Sequence, residues 1–387
     1  MKKKVFYWCP FTSYVATVKS VINSAESLNC YSYDFQSYVV NACNEWKDYS
    51  NDLNRKNIKS IDLNPHSNFN EFEKRGFVKS RIAYFYIFFK SFFPLINLLK
   101  REKPDYLIVH LITSLPIFIF YFFNFKTKLI LRISGLPKMN FLRKFLWKFG
   151  SKNIYKITCP TEATLGKMSQ YKFFANKLSV LHDPIIKNSE IILKLNKKDI
   201  LTNIELKNFI SDGNFFLSVG RLTKQKNFIF LIDCIFNLKK NHKNIKFLII
   251  GSGEQKSILL NKIKEYDLEK NIKILDHTEN VYFYMKKCRA FVLTSLWEDP
   301  GFVLIEAAYM NASIISSDCP NGPLEILNYG VGGYLFSSNK QDSFIDTLNA
   351  YLSDSKMNTI NKKINAKMQC KKYSMLNHYN SIVKILT

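Results

Sequence analysis

Short apolar runs recur through the whole 387-residue chain, and most are separated by a segment of helix length. In the first half they fall at 5–9, 38–40, 58–63, 104–110, 129–133, 157–161 and 178–181. In the second half they fall at 214–219, 245–250, 272–275, 290–294, 313–316 and 333–336. Alternation of strand-like and helix-like segments specifies parallel sheets with helices on both faces, an α/β fold. The chain is long enough for two such domains, each with its own core. At 47% hydrophobic and 22% charged residues it has globular, not disordered, composition. No short-period repeat is present. The expected divisions are a first Rossmann-like domain at 1–185, a Lys-, Asn- and Ile-rich linker with an entry helix at 186–212, a second Rossmann-like domain at 213–353 and a basic helical tail at 354–387.

One stretch concentrates chemistry: Trp297-Glu298-Asp299-Pro300-Gly301-Phe302-Val303-Leu304-Ile305-Glu306, between the strand-like 290–294 and the helix-like 303–310. A strand that ends in a Pro-Gly turn and opens a helix aims backbone N–H groups and the positive helix end at one point, which suits a diphosphate. Glu298 precedes the turn and Glu306 lies about one helical turn beyond it, so both can face the mouth of the strand. Carboxylates accept hydrogen bonds from sugar hydroxyls, so the pair suits a nucleotide with hydroxyl-rich rings. A capped helix with surface acids accounts for the same residues.

The stretch resembles the two-glutamate motif of retaining nucleotide-sugar glycosyltransferases of family four, and three further segments follow that family's order. These are Gly220-Arg221-Leu222 with Lys226-Asn227, then Gly251-Ser252-Gly253-Glu254, then Asn321-Gly322-Pro323-Leu324-Glu325. The resemblance implies the GT-B architecture: two Rossmann-like doubly wound domains facing across a cleft, acceptor in the first, donor in the second, the last helix crossing back to the first domain. It implies that Arg221 and Lys226 bind the donor diphosphate and that Glu298 holds the transferred sugar, these three being the catalytic candidates. Glu306 would hold the ribose. Gly220, Gly251, Gly253, Gly301, Phe302 and Val303 would line the donor, and Gly322 and Glu325 are weaker candidates. Many members carry a histidine in the first-domain loop after the strand matching 129–133; here Ser134-Gly135 stands there, after Arg132. His110, Arg132 and Ser134 are therefore the acceptor-side candidates. The first loop, Pro10 to Tyr14, lacks the glycines common in the family. No Asp-x-Asp pair and no zinc-spaced Cys or His cluster is present, so neither a metal nor a cofactor is expected. The donor would be a UDP-sugar and the acceptor a lipid-linked glycan or a lipopolysaccharide or capsule precursor, as in bacterial surface-polysaccharide enzymes.

Net charge is formally +25, which favours anionic partners. AT-rich coding, visible also in the abundance of Asn, Ile and Phe, accounts for part of the excess. Scattered cysteines read as reduced residues of a cytoplasmic protein, and residues 5–12 read as a first strand, not a signal peptide. Residues 77–99 are dense in aromatics and broken by Lys79, Arg81, Lys90 and Pro94. A mid-span lysine opposes crossing a bilayer, which leaves a basic aromatic helix on an anionic membrane face or a long core helix. Residues 115–123 and 139–149 are also apolar and aromatic. The expected location is cytoplasmic, peripheral on the inner face of the cytoplasmic membrane. Two rivals stand beside this reading: a nucleotide-sugar epimerase of the same fold, and a basic nucleic-acid-binding protein. The second lacks any zinc, helix-turn-helix or RNA-recognition signature, so no nucleic-acid partner is expected.

Overall fold

The computed structural model describes residues 2–12, 15–67, 77–196, 204–240, 242–278 and 280–387. The end of the first loop, most of the polar segment 64–75 and the middle of segment 186–212 lie outside the described residues. The chain divides into two compact units, Met1–Ile185 with Ser374–Thr387, and Ile186–Tyr373.

The first unit holds a seven-stranded sheet: β1 (Lys3–Trp8), β2 (Phe35–Asn41), β3 (Lys59–Asp62), β4 (Tyr106–Val109), β5 (Lys128–Arg132), β6 (Ile154–Cys159) and β7 (Leu178–Val180). Their order is β3-β2-β1-β4-β5-β6-β7, and every neighbouring pair is parallel. All four residues of β4 are buried, as in a sheet covered on both faces. One core packs on one face around Phe6, Trp8, Leu107 and Leu131. Another packs on the opposite face around Val5, Tyr7, Ile108 and Ile130, as the two-residue period of a strand demands. The terminal helix Met375–Leu386 belongs to the second of these cores through Ile382 and Leu386.

The second unit repeats the plan with β8 (Phe216–Val219), β9 (Phe247–Ile250), β10 (Ile272–Leu275), β11 (Ala290–Leu293), β12 (Ile314–Ser317) and β13 (Tyr334–Phe336). The order is β10-β9-β8-β11-β12-β13, again all parallel. Two boundaries differ from the sequence reading. Segment 186–212 is not a free linker: its described helices, Asn188–Asn196 and Ile204–Phe209, group with the second unit, burying Ile191, Leu206 and Phe209. The helix Lys356–Cys370 also stays with the second unit, where Ala366 and Cys370 are buried, so only 374–387 joins the first. In the helix Phe228–Leu238 the buried face is Phe228, Leu231, Ile232, Cys234, Ile235 and Leu238. Phe236, one residue and a hundred degrees past Ile235, is exposed and lies 4.3 Å from the Tyr266 ring.

The Phe77–Glu102 helix builds one face into the core and leaves aromatic rings exposed on another. Ala83, Ile87, Leu95, Ile96, Leu98 and Leu99 are buried in the first unit's core, while Phe85, Phe89 and Phe93 face outward. Among the described residues it is the one helix long and apolar enough to cross a membrane. With one face built into the sheet's core, it is a packed element of the first unit. Ile87→Ala should therefore lower stability by about 3 kcal/mol, a cavity cost, while Phe89→Ala, two residues on, should change it by less than about 0.5 kcal/mol. Denaturant titration of both variants measures the difference.

Candidate functional site

The order of the second sheet decides where its loops meet. Connections run one way from β8 to β9 and β10, and the other way from β11 to β13, so the chain reverses direction between β8 and β11. At such a switch point the loops leaving the carboxyl ends of two adjacent strands part and open a crevice. The loop after β8 carries Gly220, Arg221 and Lys226; the loop after β11 carries Glu298 and Gly301. Lys226 Nζ lies 2.5 Å from Glu298 Oε1, and the side chains are only 12% and 5% exposed. Ser295 Oγ donates to the same Oε1 at 2.5 Å, so Oε2 is engaged by neither contact.

Backbone hydrogen bonds stitch the neighbouring loops together. Leu296 N–H donates to Gln225 O, and Thr294 Oγ1 donates to Lys226 O, both at 2.9 Å. Gly220 N–H donates to Ile250 O at 3.0 Å and Leu222 N–H to Ser252 O at 2.9 Å. On the other side, Glu298 N–H donates to Pro320 O at 3.2 Å and Ser317 Oγ to Ser295 O at 2.7 Å. The four motif segments thus lie side by side along one sheet edge. Gly251 is required there, because a Cβ on it would come within 1.9 Å of the Gly220 carbonyl oxygen. Gly253 follows in the same loop.

Arg221 is exposed and reaches Gln225 Oε1 at 3.4 Å, while Gln225 Nε2 donates to Trp297 O at 2.9 Å. Gly301 caps the Phe302–Tyr309 helix at φ +103°, a conformation open to glycine. Phe302 and Val303 form the helix's half-buried first turn. Glu306 lies further along the helix, where the buried Tyr282 donates its hydroxyl to Oε1 at 3.0 Å. Gly322 opens the short Pro323–Ile326 helix. Glu325 is 3.4 Å from Lys372, an ion pair inside the second unit. Sequence reasoning missed Ser295 and Tyr282. Ser295, three residues before Glu298, was open to suspicion as a hydroxyl beside a carboxylate; Tyr282 carried no local signal.

The first unit gathers a separate polar cluster. His110 follows β4, at the switch point between β1 and β4, and is buried. Arg132, at the end of β5, is 2% exposed and pairs with Asp183 at 2.7 Å; Asp183 also accepts from Ser20 Oγ. Burial would raise the Asp183 carboxyl, but the Arg132 charge and the hydrogen bonds from Ser20 and Arg132 outweigh it and hold the group below its usual range. Asp183, not singled out in the sequence, is the reason a buried arginine is tolerated. Ser134 Oγ is 3.5 Å from His110 O. His378, from the terminal helix, must donate through Nδ1 to His182 O at 2.6 Å, so its Nε2 accepts from Ser24 Oγ at 2.8 Å. Tyr7 Oη then donates to Ser24 Oγ at 3.0 Å. Burial, with the Arg132 charge adding, depresses His110 to about 3. Burial likewise holds His378 near 4, against the opposing hydrogen bond to His182 O. Both rings are neutral at pH 7, so His110 does not act as a cation there. Among the described residues no group of three or more His, Cys, Asp or Glu side chains gathers as a metal site.

Two outcomes follow. Lys226→Met leaves the Glu298 carboxylate buried beside Ser295 alone and should cost about 3 kcal/mol in denaturant titration. The folded pKa values of His110 and His378 lie below the ordinary 6.5, so their contribution is fully present above pH 6.5. It is lost as the pH falls from 6.5 to about 4 for His378 and to about 3 for His110, because the unfolded chain takes up protons the folded chain refuses. Stability should fall across that window by about 3 kcal/mol per histidine at pH 4.5, read as a falling melting temperature, and His110→Gln should flatten the slope.

Residues 200–368, which contain all four motif segments, match the family model described as glycosyl transferases group 1. An uncharacterized glycosyltransferase of Methanocaldococcus jannaschii is 29% identical over 258 residues, which is 62% of this chain and 61% of that protein. A Campylobacter jejuni N-acetylgalactosamine-N,N'-diacetylbacillosaminyl-diphospho-undecaprenol 4-alpha-N-acetylgalactosaminyltransferase is 29% identical over 275 residues, 65% of this chain and 74% of its own length. Among solved structures, TarM superposes at TM-score 0.74 with 14% identity, covering 100% of this chain and 99% of its own. HepE of Anabaena in complex with UDP and glucose does so at 0.71 and 14%, covering 99% and 98%. The fold is the GT-B architecture of these solved structures, and residues 200–368 are similar to the glycosyl transferases group 1 family.

Proposed function

We propose that this protein transfers a hexosyl or N-acetylhexosaminyl group from a UDP-sugar to a lipid-linked glycan in bacterial surface-polysaccharide assembly, with retention at the anomeric carbon, at the cytoplasmic face of the membrane. The observation that carries the reading is the buried Lys226–Glu298 pair bracketing the switch point of the second sheet. When the glycosidic bond to a diphosphate breaks, negative charge builds on the departing phosphate oxygens. Lys226 keeps two ammonium donors beyond its contact with Glu298. With Arg221 and the N-terminus of the Phe302–Tyr309 helix, it would meet that charge. Glu298, held by Lys226 and Ser295 on one oxygen, would accept from a hydroxyl of the transferred sugar with the other. Glu306, positioned by Tyr282, would hold the ribose.

The acceptor class is supported by relatives whose names place their substrates on diphospho-undecaprenol, including the Campylobacter enzyme above. The donor nucleotide is supported by a further relative from Escherichia coli, named as a UDP-Gal:alpha-D-GlcNAc-diphosphoundecaprenol alpha-1,3-galactosyltransferase and 25% identical over 306 residues.

Arg221→Ala and Lys226→Ala should each lower turnover roughly a hundredfold, the scale of removing one transition-state donor; rates within a few-fold of the parent would sink the diphosphate role. Glu298→Gln should act chiefly on kcat, since its contact would strengthen as the sugar becomes cationic. Glu306→Gln should chiefly weaken UDP binding by calorimetry. Unchanged UDP affinity in the latter removes the ribose assignment, and proton NMR of the product's anomeric centre decides retention.

A further inference from the structure

The first unit presents an unusual surface. Along the Phe77–Glu102 helix, Phe85, Phe89 and Phe93 recur at four-residue spacing and are 58%, 71% and 70% exposed. On the Phe141–Gly150 helix, Phe141, Phe145 and Phe149 do the same. The Ser114–Phe122 helix joins them: Phe118 lies 6.1 Å from the Phe92 ring, and Tyr121 lies 6.4 Å from Phe149. The rings therefore form one continuous plate across three helices. Soluble surfaces seldom leave so much contiguous aromatic area in water.

The charge carried by the three helices is almost all of one sign. The outer two helices carry eight Lys or Arg residues, five and three respectively, and the middle helix carries no charge. The only acid in all three is Glu102, which is paired with Lys4 at 2.9 Å at the far end of its helix. No Asp or Glu occurs between Tyr106 and Thr161. Lys90, Arg143 and Lys148 are exposed beside the rings. Aromatic rings settle at the headgroup level of a bilayer, and lysine and arginine there meet lipid phosphates.

We propose that this plate docks the protein on an anionic lipid bilayer, its rings inserted among the headgroups and its cations against the phosphates. The geometry explains how a helix with the composition of a membrane span serves a surface role: its other face is spent on the core of the first unit. The surface goes beyond the transfer reaction proposed above and is independent of it, because no residue of the plate belongs to the sugar-nucleotide site.

Vesicle flotation without donor or acceptor tests it, so docking can fail while transfer stands, and the reverse. The full chain should float with phosphatidylcholine vesicles containing phosphatidylglycerol, and more weakly with phosphatidylcholine alone. Combining Phe89→Ser, Phe93→Ser and Phe145→Ser should cut binding to both roughly tenfold without lowering the melting temperature, since these rings are exposed. Combining Arg143→Gln with Lys148→Gln should remove only the preference for the anionic vesicles. A parent that stays unbound, or a folded serine variant that binds as the parent does, overturns the proposal. So does a parent that is dimeric and unbound while the serine variant is monomeric, which would make the plate a self-association surface.

Discussion

The candidate donor site depends on one contact, the Lys226–Glu298 ion pair, which joins side chains 72 residues apart in sequence. Neither loop has a reason of its own to hold its charge inside the protein, since a lone buried lysine or carboxylate is costly to desolvate. Together, with Ser295 as a third partner, they are tolerated, and they tie the loop after β8 to the loop after β11. The pair sits where the strand order reverses. That topology supplies the crevice, and the ion pair places two opposite charges at its walls with rigid backbone behind each.

The surrounding loops serve the same end. They bond to one another through main-chain groups, as Gly220 does to Ile250 and Glu298 to Pro320. Main-chain contacts of this kind set loop positions without depending on side-chain rotamers. Gly251 matters for its missing side chain, which lets the loop after β9 press against Gly220. The helix that Gly301 opens then points its unpaired N–H groups along the same edge.

The first unit solves a similar problem differently. Arg132 is buried against Asp183, and His110 and His378 remain neutral beside them. The cluster unites β4, β5, the segment after β7 and the terminal helix, whose Ile382 and Leu386 enter the same core. Such a network couples the last fourteen residues to the first sheet by polar as well as apolar contacts. It also makes Arg132 a residue of the interior, 2% exposed and paired with Asp183.

Much of this was legible in the sequence because the relevant signals are local. Strand–helix alternation determines parallel sheets, and the short apolar runs between helix-length segments matched strands, while the equally apolar 115–123 became a helix. The four glycine- and charge-bearing segments could be picked out because each follows a strand. Their meeting could be stated only by resemblance, since adjacency at a sheet edge is set by strand order and strand order is non-local. The same limit hid Asp183, Ser295 and Tyr282, whose partners are supplied by tertiary packing or by a turn whose shape the residue types do not specify. It also left the Phe77–Glu102 helix divided between core and surface. A helix rich in aromatics on every side does not reveal which face it will bury, and only packing against the sheet separated Ile87 from Phe89. The tertiary structure likewise moved the domain boundaries, because helices at 188–196 and 356–370 contribute buried side chains to the second unit that no composition shift announces.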